Sequence, residues 1–300
     1  MALERIAILS PGDMGNAVGA SLRKQGRELL TCLAGRSAET RARAARAGFT
    51  DVPDLETLAR RSDAILSIMP PEAALATSRK VAAAMAAAGA TPVYADCNAI
   101  APETAHAIAA EMARVGATFI DGGIVGAAPG RTEQPTRIFV SGPQAEMLAA
   151  LSADDIRFVP SGAEIGRASA IKMCYAAITK GTNMLHLAAL MTAESLGVGG
   201  PLREELAYSQ AGYYNRMKST LPFIPADAAR WIGEMTEIIK TFESVGVTPH
   251  FHIGARDVYE VLDRTPFAAE TRETMDRGRT LEQALKVYLQ YLNKPRAAAE

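Results

Sequence analysis

Short apolar runs and helical patterns alternate through the first half of the chain. Ile6-Ala7-Ile8-Leu9 is the first run, and Gly12 and Gly15 follow at once, ahead of a helical pattern. Further strand-like runs lie at residues 29–33, 64–69, 92–95 and 118–120, with two more at 137–140 and 156–159. Ala-rich helical stretches at 72–88 and 102–115 fall between them. Strands alternating with helices predict βαβ units and a parallel sheet, and runs that are apolar at every position predict burial on both faces. The pattern changes near Ser161-Gly162-Ala163-Glu164. Helical periodicity then dominates, at residues 165–196, 203–220, 226–245, 258–262 and 280–292, with Pro222, Pro225, Gly246 and Pro249 as breaks. The expected architecture is α/β, with a Rossmann-type, doubly wound parallel sheet over residues 1–162. An all-α domain over residues 163–300 follows it.

Composition narrows the function classes. Of 300 residues, 48% are hydrophobic and 22% charged, so the chain can build a core without disulfides or metal. A net charge of −1 offers no basic surface for nucleic acid or an anionic membrane. Cys32, Cys97 and Cys174 are far apart and form no CxxC pair, which argues against a disulfide framework and a structural zinc. No run of eighteen apolar residues occurs, and Glu4 and Arg5 ahead of the first apolar run do not fit a signal peptide. A soluble, cytoplasmic protein is expected, acting on a small molecule.

Ser10-Pro11-Gly12-Asp13-Met14-Gly15 directly follows the first strand and opens a helix, the placement of a dinucleotide fingerprint. Gly12 lets the backbone approach a pyrophosphate, and Gly15 lets the helix pack on the strand. The helix start supplies N–H groups and partial positive charge for the phosphates. Ser10 stands where the fingerprint has its first glycine. After the second strand, NAD enzymes carry an acid that holds the ribose hydroxyls. This chain has Ala34-Gly35-Arg36-Ser37 there instead. Arg36 and Ser37 suit a 2′-phosphate, so NADP(H) is expected over NAD(H).

Lys172 lies in a nearly all-apolar helical stretch, which predicts burial. At 100° per residue, Thr179 and Asn183 fall within about 20° of it, and Ser169 and Tyr175 lie one turn to either side. A polar stripe on a buried helix implies a pocket or a buried network, and Lys172 is its candidate catalytic group. In Asp121-Gly122-Gly123, a Gly-rich loop would let backbone N–H groups meet a carboxylate. His250 and His252 would face one way on an extended segment, but no third ligand is evident, so no metal is expected. Tyr208, Tyr213, Tyr214, Asn215, Arg216 and Lys218 share one helical stretch, suited to a pocket, a subunit interface or a half-exposed face.

These features, in order, resemble the β-hydroxyacid dehydrogenases, the group that includes 6-phosphogluconate and 3-hydroxyisobutyrate dehydrogenases. Five segments carry the resemblance: Gly12-Asp13-Met14-Gly15, the Met69-Pro70-Pro71 turn, Asp96-Cys97-Asn98 with Pro102, Phe119-Ile120-Asp121 through Gly126, and Gly166 with Lys172. The second half looks like a divergent subgroup with a short helical domain. The resemblance implies an NAD(P)-dependent oxidoreductase whose helical domain forms a homodimer. It implies that Met69 and Pro70 border the cofactor, that Asn98, Asp121, Gly122 and Gly123 orient the substrate, and that Lys172 is the general acid/base. Val125, Ala176 and Gly233-Glu234-Met235 depart from the family pattern. With Ala176 in place of the family's asparagine, Tyr175 is expected to support proton transfer. A small hydroxy acid or related alcohol or carbonyl is the expected substrate. Imine reduction on the same fold and a catalytically silent NADP-binding regulator are the alternatives.

Overall fold

A computed structural model describes residues 3–36, 38–271 and 274–292. The chain divides into two compact units, Met1–Tyr175 and Ala176–Glu300. The division falls later than the Ser161–Glu164 change of pattern, so the helix carrying Lys172 groups with the first unit.

The first unit is built on one sheet. Its strands are β1 (Arg5–Leu9), β2 (Glu28–Thr31), β3 (Thr50–Asp51), β4 (Ala64–Ser67), β5 (Val93–Asp96), β6 (Phe119–Val125), β7 (Thr136–Ser141) and β8 (Ile156–Pro160). Among the described residues they run in the order β3-β2-β1-β4-β5-β6-β7-β8. All neighbours pair in parallel except β6 and β7, which are antiparallel, with Gly122 opposite Val140 and Gly123 opposite Phe139. The expected all-parallel reading therefore holds through β6. There the chain turns back directly through residues 126–135 without a crossover helix.

The helices of this unit are α1 (Asp13–Lys24), α2 (Ala38–Ala47), α3 (Leu55–Arg61), α4 (Pro71–Ala88), α5 (Pro102–Ala113) and α6 (Arg167–Ala176). Alternate strand residues enter two separate cores, which explains the unbroken apolar runs. Ile6, Ile8 and Leu66 pack with Val18 and Leu22 of α1 on one face. Ala7, Leu9 and Ile65 pack with Val81 and Met85 of α4 and Ile108 of α5 on the other. Strand order reverses between β1 and β4. That switch point opens a crevice beyond the C-terminal strand ends, where open α/β sheets bind ligands. Ser10 and Met69 stand at its two sides.

In the second unit, a π-helical turn (Ala177–Gly181) precedes α7 (Thr182–Ser195), α8 (Gly199–Ser209), α9 (Ala211–Thr220), α10 (Ala228–Ser244), α11 (His250–Asp263) and α12 (Leu281–Tyr288). The π turn has a wider i→i+5 pattern, so the 100° projection from Lys172 to Thr179 and Asn183 does not carry through it. The stretch expected as one helix over 203–220 is two, broken at Gln210. Along it Tyr208 and Tyr213 are exposed and Tyr214 is buried. His250 and His252 are not on an extended segment. They open α11, where residues two apart point to different sides: His250 is exposed, and His252 is buried against Phe242. No helix of the described residues is long and apolar enough to cross a membrane.

Candidate functional site

The loop after β1 has the geometry its glycines dictate. Gly12 N–H donates to the Ser10 carbonyl at 2.6 Å, and Asn16 N–H donates to the Gly12 carbonyl at 2.9 Å. Asn16 also donates from its side chain to the Pro11 carbonyl at 2.6 Å, a brace that the sequence reading missed. A Cβ at residue 12 would meet only the Ser10 carbonyl oxygen, at 3.8 Å, so the space above the loop is open. A Cβ at residue 15 would press on Ile8 Cγ2 at 3.2 Å and on the Ser10 carbonyl at 3.3 Å, so glycine lets α1 sit this close to β1 without displacing them. No side chain caps the start of α1. An open approach to an uncapped helix start is what a dinucleotide pyrophosphate requires, and these residues fit one.

Ser10 is the one non-glycine residue with positive φ among those described, at 55°. That backbone explains why the fingerprint carries glycine here. The Ser10 hydroxyl accepts a hydrogen bond from the Arg36 guanidinium at 2.5 Å. Ser10 and Arg36, both expected to meet the cofactor, are thus joined. Ser37, expected beside Arg36, lies outside the described residues. Asp51 on β3 accepts the Leu33 N–H at 2.8 Å and pairs with Arg41 at 3.2 Å. Asp13 is exposed and forms a two-bond pair with Arg131, from the turn between β6 and β7. Arg131 was not expected from the sequence, although a cation after Gly126 and Gly130 in the loop that follows Gly122 and Gly123 was a signal for it.

Asn98 and Met69 are brought together, but not with the amide left for substrate. Asn98 Oδ1 accepts the Met69 N–H at 2.6 Å, and Asn98 Nδ2 donates to Ser67 Oγ and Asp96 Oδ2, both at 2.9 Å. Asn98 is 3% exposed and locks the Met69–Pro70 turn to the end of β5. Burial pushes the Asp96 carboxyl up to about 7, and nearby Asp121 adds to the rise against the lowering bonds from Asn98 and Ser67.

Asp121 is corrected more sharply. It is fully buried, and its carboxylate accepts from Ser141 Oγ at 2.9 Å, from Gly166 and Ser169 N–H at 3.0 Å, and from Ser169 Oγ at 2.5 Å. A carboxylate held by helix-start N–H groups anchors α6 and is stabilised by the helix dipole. Asp121 therefore positions α6 and does not face a substrate. Gly122 and Gly123 lie within β6, not in a loop. A Cβ at Gly122 would come 2.7 Å from the Asp96 carbonyl oxygen. One at Gly123 would come 2.8 Å from both the Ala168 carbonyl oxygen and Lys172 Cβ. The pair are glycines because the end of β5 and α6 press onto β6.

Lys172 is half-buried and Tyr175 is 45% exposed. The expected deep burial of this helix fails, because Cys174 and Tyr175 face outward. Asp121 is registered opposite Asp96, the last residue of β5, so Gly122–Val125 run past the C-terminal ends of the parallel strands. Lys172 thus stands on the same edge of the sheet as the Ser10–Gly15 loop and the Met69–Pro70 turn.

Residues 5–153 match the family model described as the NAD binding domain of 6-phosphogluconate dehydrogenase. They form a nucleotide-binding domain of that family. Residues 193–262 match a domain of unknown function, DUF1932. Among solved structures, the chain is similar to conserved protein MTH1747, whose structure is described as similar to 3-hydroxyacid dehydrogenases. The identity is 28% and the TM-score 0.64, over 86% of this chain and 97% of that one. It is similar in fold to 3-hydroxyisobutyrate dehydrogenase of Mycobacterium tuberculosis, at 17% identity and TM-score 0.67 over 98% and 100% of the two chains. It is similar also to an imine reductase of Streptomyces aurantiacus, at 19% identity and TM-score 0.56 over 85% and 93%. The fold is the NAD(P)-binding fold that 3-hydroxyisobutyrate dehydrogenases and imine reductases also have.

Proposed function

We propose that the protein is an NADP(H)-dependent oxidoreductase acting on a small hydroxy acid or a related alcohol or carbonyl compound. The observation that carries this reading is the packing of Lys172 Cβ against Gly123, on the sheet edge that also holds the dinucleotide loop. The bound nicotinamide would supply or take the hydride. Lys172 would hold the proton at the substrate oxygen, as the ammonium donor in reduction and the amine acceptor in oxidation. Tyr175, one helical turn on, would support that transfer. Asp121 fixes the start of the helix that carries them both. Asn98 acts at one remove, by holding the Met69–Pro70 turn that would border the cofactor. Arg36, with no acid among its neighbours Ala34 and Gly35, supports the preference for a 2′-phosphate.

Three free cysteines suit a reducing cytoplasm. A homodimer through the helical unit is part of the proposal, because Ile178, Leu185, Leu196 and Tyr208 are all at least 65% exposed. Light scattering tests it, and a monomer at micromolar concentration would remove it.

The activity is tested by NADPH turnover with a panel of carbonyls, hydroxy acids and imines. Turnover of the oxygen substrates, lowered about 10²–10⁴-fold by Lys172→Met with NADPH affinity kept, is the expected result. Turnover of imines alone would transfer the assignment to C=N reduction. NADPH binding without any turnover would leave a binding protein.

A further inference from the structure

Ser10 combines two features that an ordinary turn residue would not. It holds a left-handed backbone, φ 55°, at a position where glycine costs nothing. Its hydroxyl is also spent on a distant side chain, Arg36 after β2, at 2.5 Å. Glycine would relieve the backbone but remove the hydroxyl. Alanine would keep the strain and remove the hydroxyl. Strain retained at a ligand site points to a task for the side chain that imposes it.

We infer that Ser10 is a specificity-determining positioning residue: its hydroxyl holds the Arg36 guanidinium where a 2′-phosphate would lie, and so sets the preference for NADP(H) over NAD(H). The chemistry supports this assignment. A guanidinium has five N–H donors in a rigid fork, and the Ser10 bond takes one of them. Fixing one edge of the fork reduces the rotamer freedom that an exposed arginine loses on gripping a phosphate. The loop that cradles the pyrophosphate thereby also orients the reader of the 2′ position. Arg41, five residues on, is engaged with other partners. It donates to the Leu33 carbonyl at 2.6 Å and pairs with Asp51, which braces the segment ahead of Arg36. NADH carries a neutral 2′-hydroxyl in place of the phosphate and offers Arg36 no charge to pair with, so Ser10 should matter much less for it.

The inference rests on the proposed NADP(H) preference, and its test separates the two. Dissociation constants for NADPH and NADH are measured by titration for the wild type, Ser10→Gly, Ser10→Ala, Arg36→Ala and the Ser10→Ala/Arg36→Ala pair, with Tm for each. Both Ser10 variants should weaken NADPH by about three- to tenfold and leave NADH within about twofold. Ser10→Gly should also raise Tm, and Ser10→Ala should not. In the double variant, Ser10→Ala should add no further loss to that of Arg36→Ala, because the hydroxyl acts only through the guanidinium. Wild type that binds both cofactors alike would overturn the parent reading and the inference with it. Wild type that prefers NADPH, with the preference intact in both Ser10 variants or with additive losses in the pair, would overturn the inference alone. Should Ser10→Ala fold poorly, Ser10→Gly, whose backbone suits this φ, decides the matter.

Discussion

A methyl group added at Gly123 would sit 2.8 Å from Cβ of Lys172, closer than carbon atoms pack. The strand and the helix therefore meet without a side chain between them, and the lysine stem lies directly on the backbone of β6. Gly123→Ala must push α6 outward. Overpacking of this kind costs about 1–3 kcal/mol. A displacement near 1 Å at a catalytic group costs up to about 100-fold in rate. Gly123→Ala is expected to lower Tm modestly and kcat strongly while NADPH affinity holds, measured by thermal unfolding, steady-state kinetics and cofactor titration.

Arg131 and Asp13 lead to a second prediction. Asp13 opens α1, where its carboxylate stands beside the place for the pyrophosphate, and Arg131 neutralises it through two hydrogen bonds. Arg131→Ala removes that cation from beside the Asp13 carboxylate. It is expected to weaken NADPH and NADH equally, by about 1 kcal/mol, because both carry the same pyrophosphate. Adding Asp13→Asn should restore most of the loss. Titration of both cofactors against the three proteins checks this, and a loss confined to NADPH would assign Arg131 to the 2′-phosphate.

Much of this site was legible in the sequence because βα chemistry is local. The order Ile6-Ala7-Ile8-Leu9, Gly12, Gly15 fixes a strand, a turn and a helix with no help from the rest of the chain. Lys172 stood out as a cation in an apolar helical stretch and through the family resemblance at Gly166 and Lys172, and the structure sets its stem on Gly123 of β6. Long-range partners were not. Asp121 reads as a substrate ligand when its neighbours are Gly122 and Gly123, but its partners are Ser141, Gly166 and Ser169, which the antiparallel β6–β7 pairing and α6 bring to it. Asn98 reads as a free amide until β4 places Ser67 and the Met69 N–H against it. The π turn at Ala177–Gly181 leaves no mark in residue type, so a uniform helical projection carried Thr179 and Asn183 onto the side of Lys172 without warrant.

Asp96 makes the stability of the first unit depend on pH. Burial beside Asp121 lifts its carboxyl from 3.8 to about 7. Between those values the unfolded chain has released the proton and the folded chain still holds it. Stability from this group is present below 3.8 and is lost as pH rises to about 7. Asp96→Asn removes the titration and keeps an acceptor for the Asn98 N–H. Any cost of the substitution itself is independent of pH. The variant is therefore expected to gain on the wild type by about 2–4 kcal/mol as pH rises through this window, read from urea unfolding midpoints. Parallel pH profiles would show that Asp96 does not titrate there.

Lys180 and Glu234 form an ion pair in the helical unit, with side chains only 13% and 7% exposed. Lys180 lies in the π turn, and its Nζ is 5.0 Å from the centre of the Trp231 ring. Tyr259 donates to the Lys180 carbonyl at 3.3 Å, and its ring meets Trp231 edge-on at 5.6 Å. A buried pair of this kind gains little over a well-packed apolar pair, because desolvation of both ions offsets their attraction. Removing one partner is different, since it strands a charge. Lys180→Met should cost about 3–5 kcal/mol through the abandoned Glu234 carboxylate. Glu234→Leu on the same background should recover most of it. The chain has one tryptophan, so its fluorescence reports this cluster directly. Urea unfolding followed at Trp231 should show the single variant unfolding early and the double variant close to wild type. Equal destabilisation in both would mean that packing around the π turn, rather than the stranded charge, sets the cost.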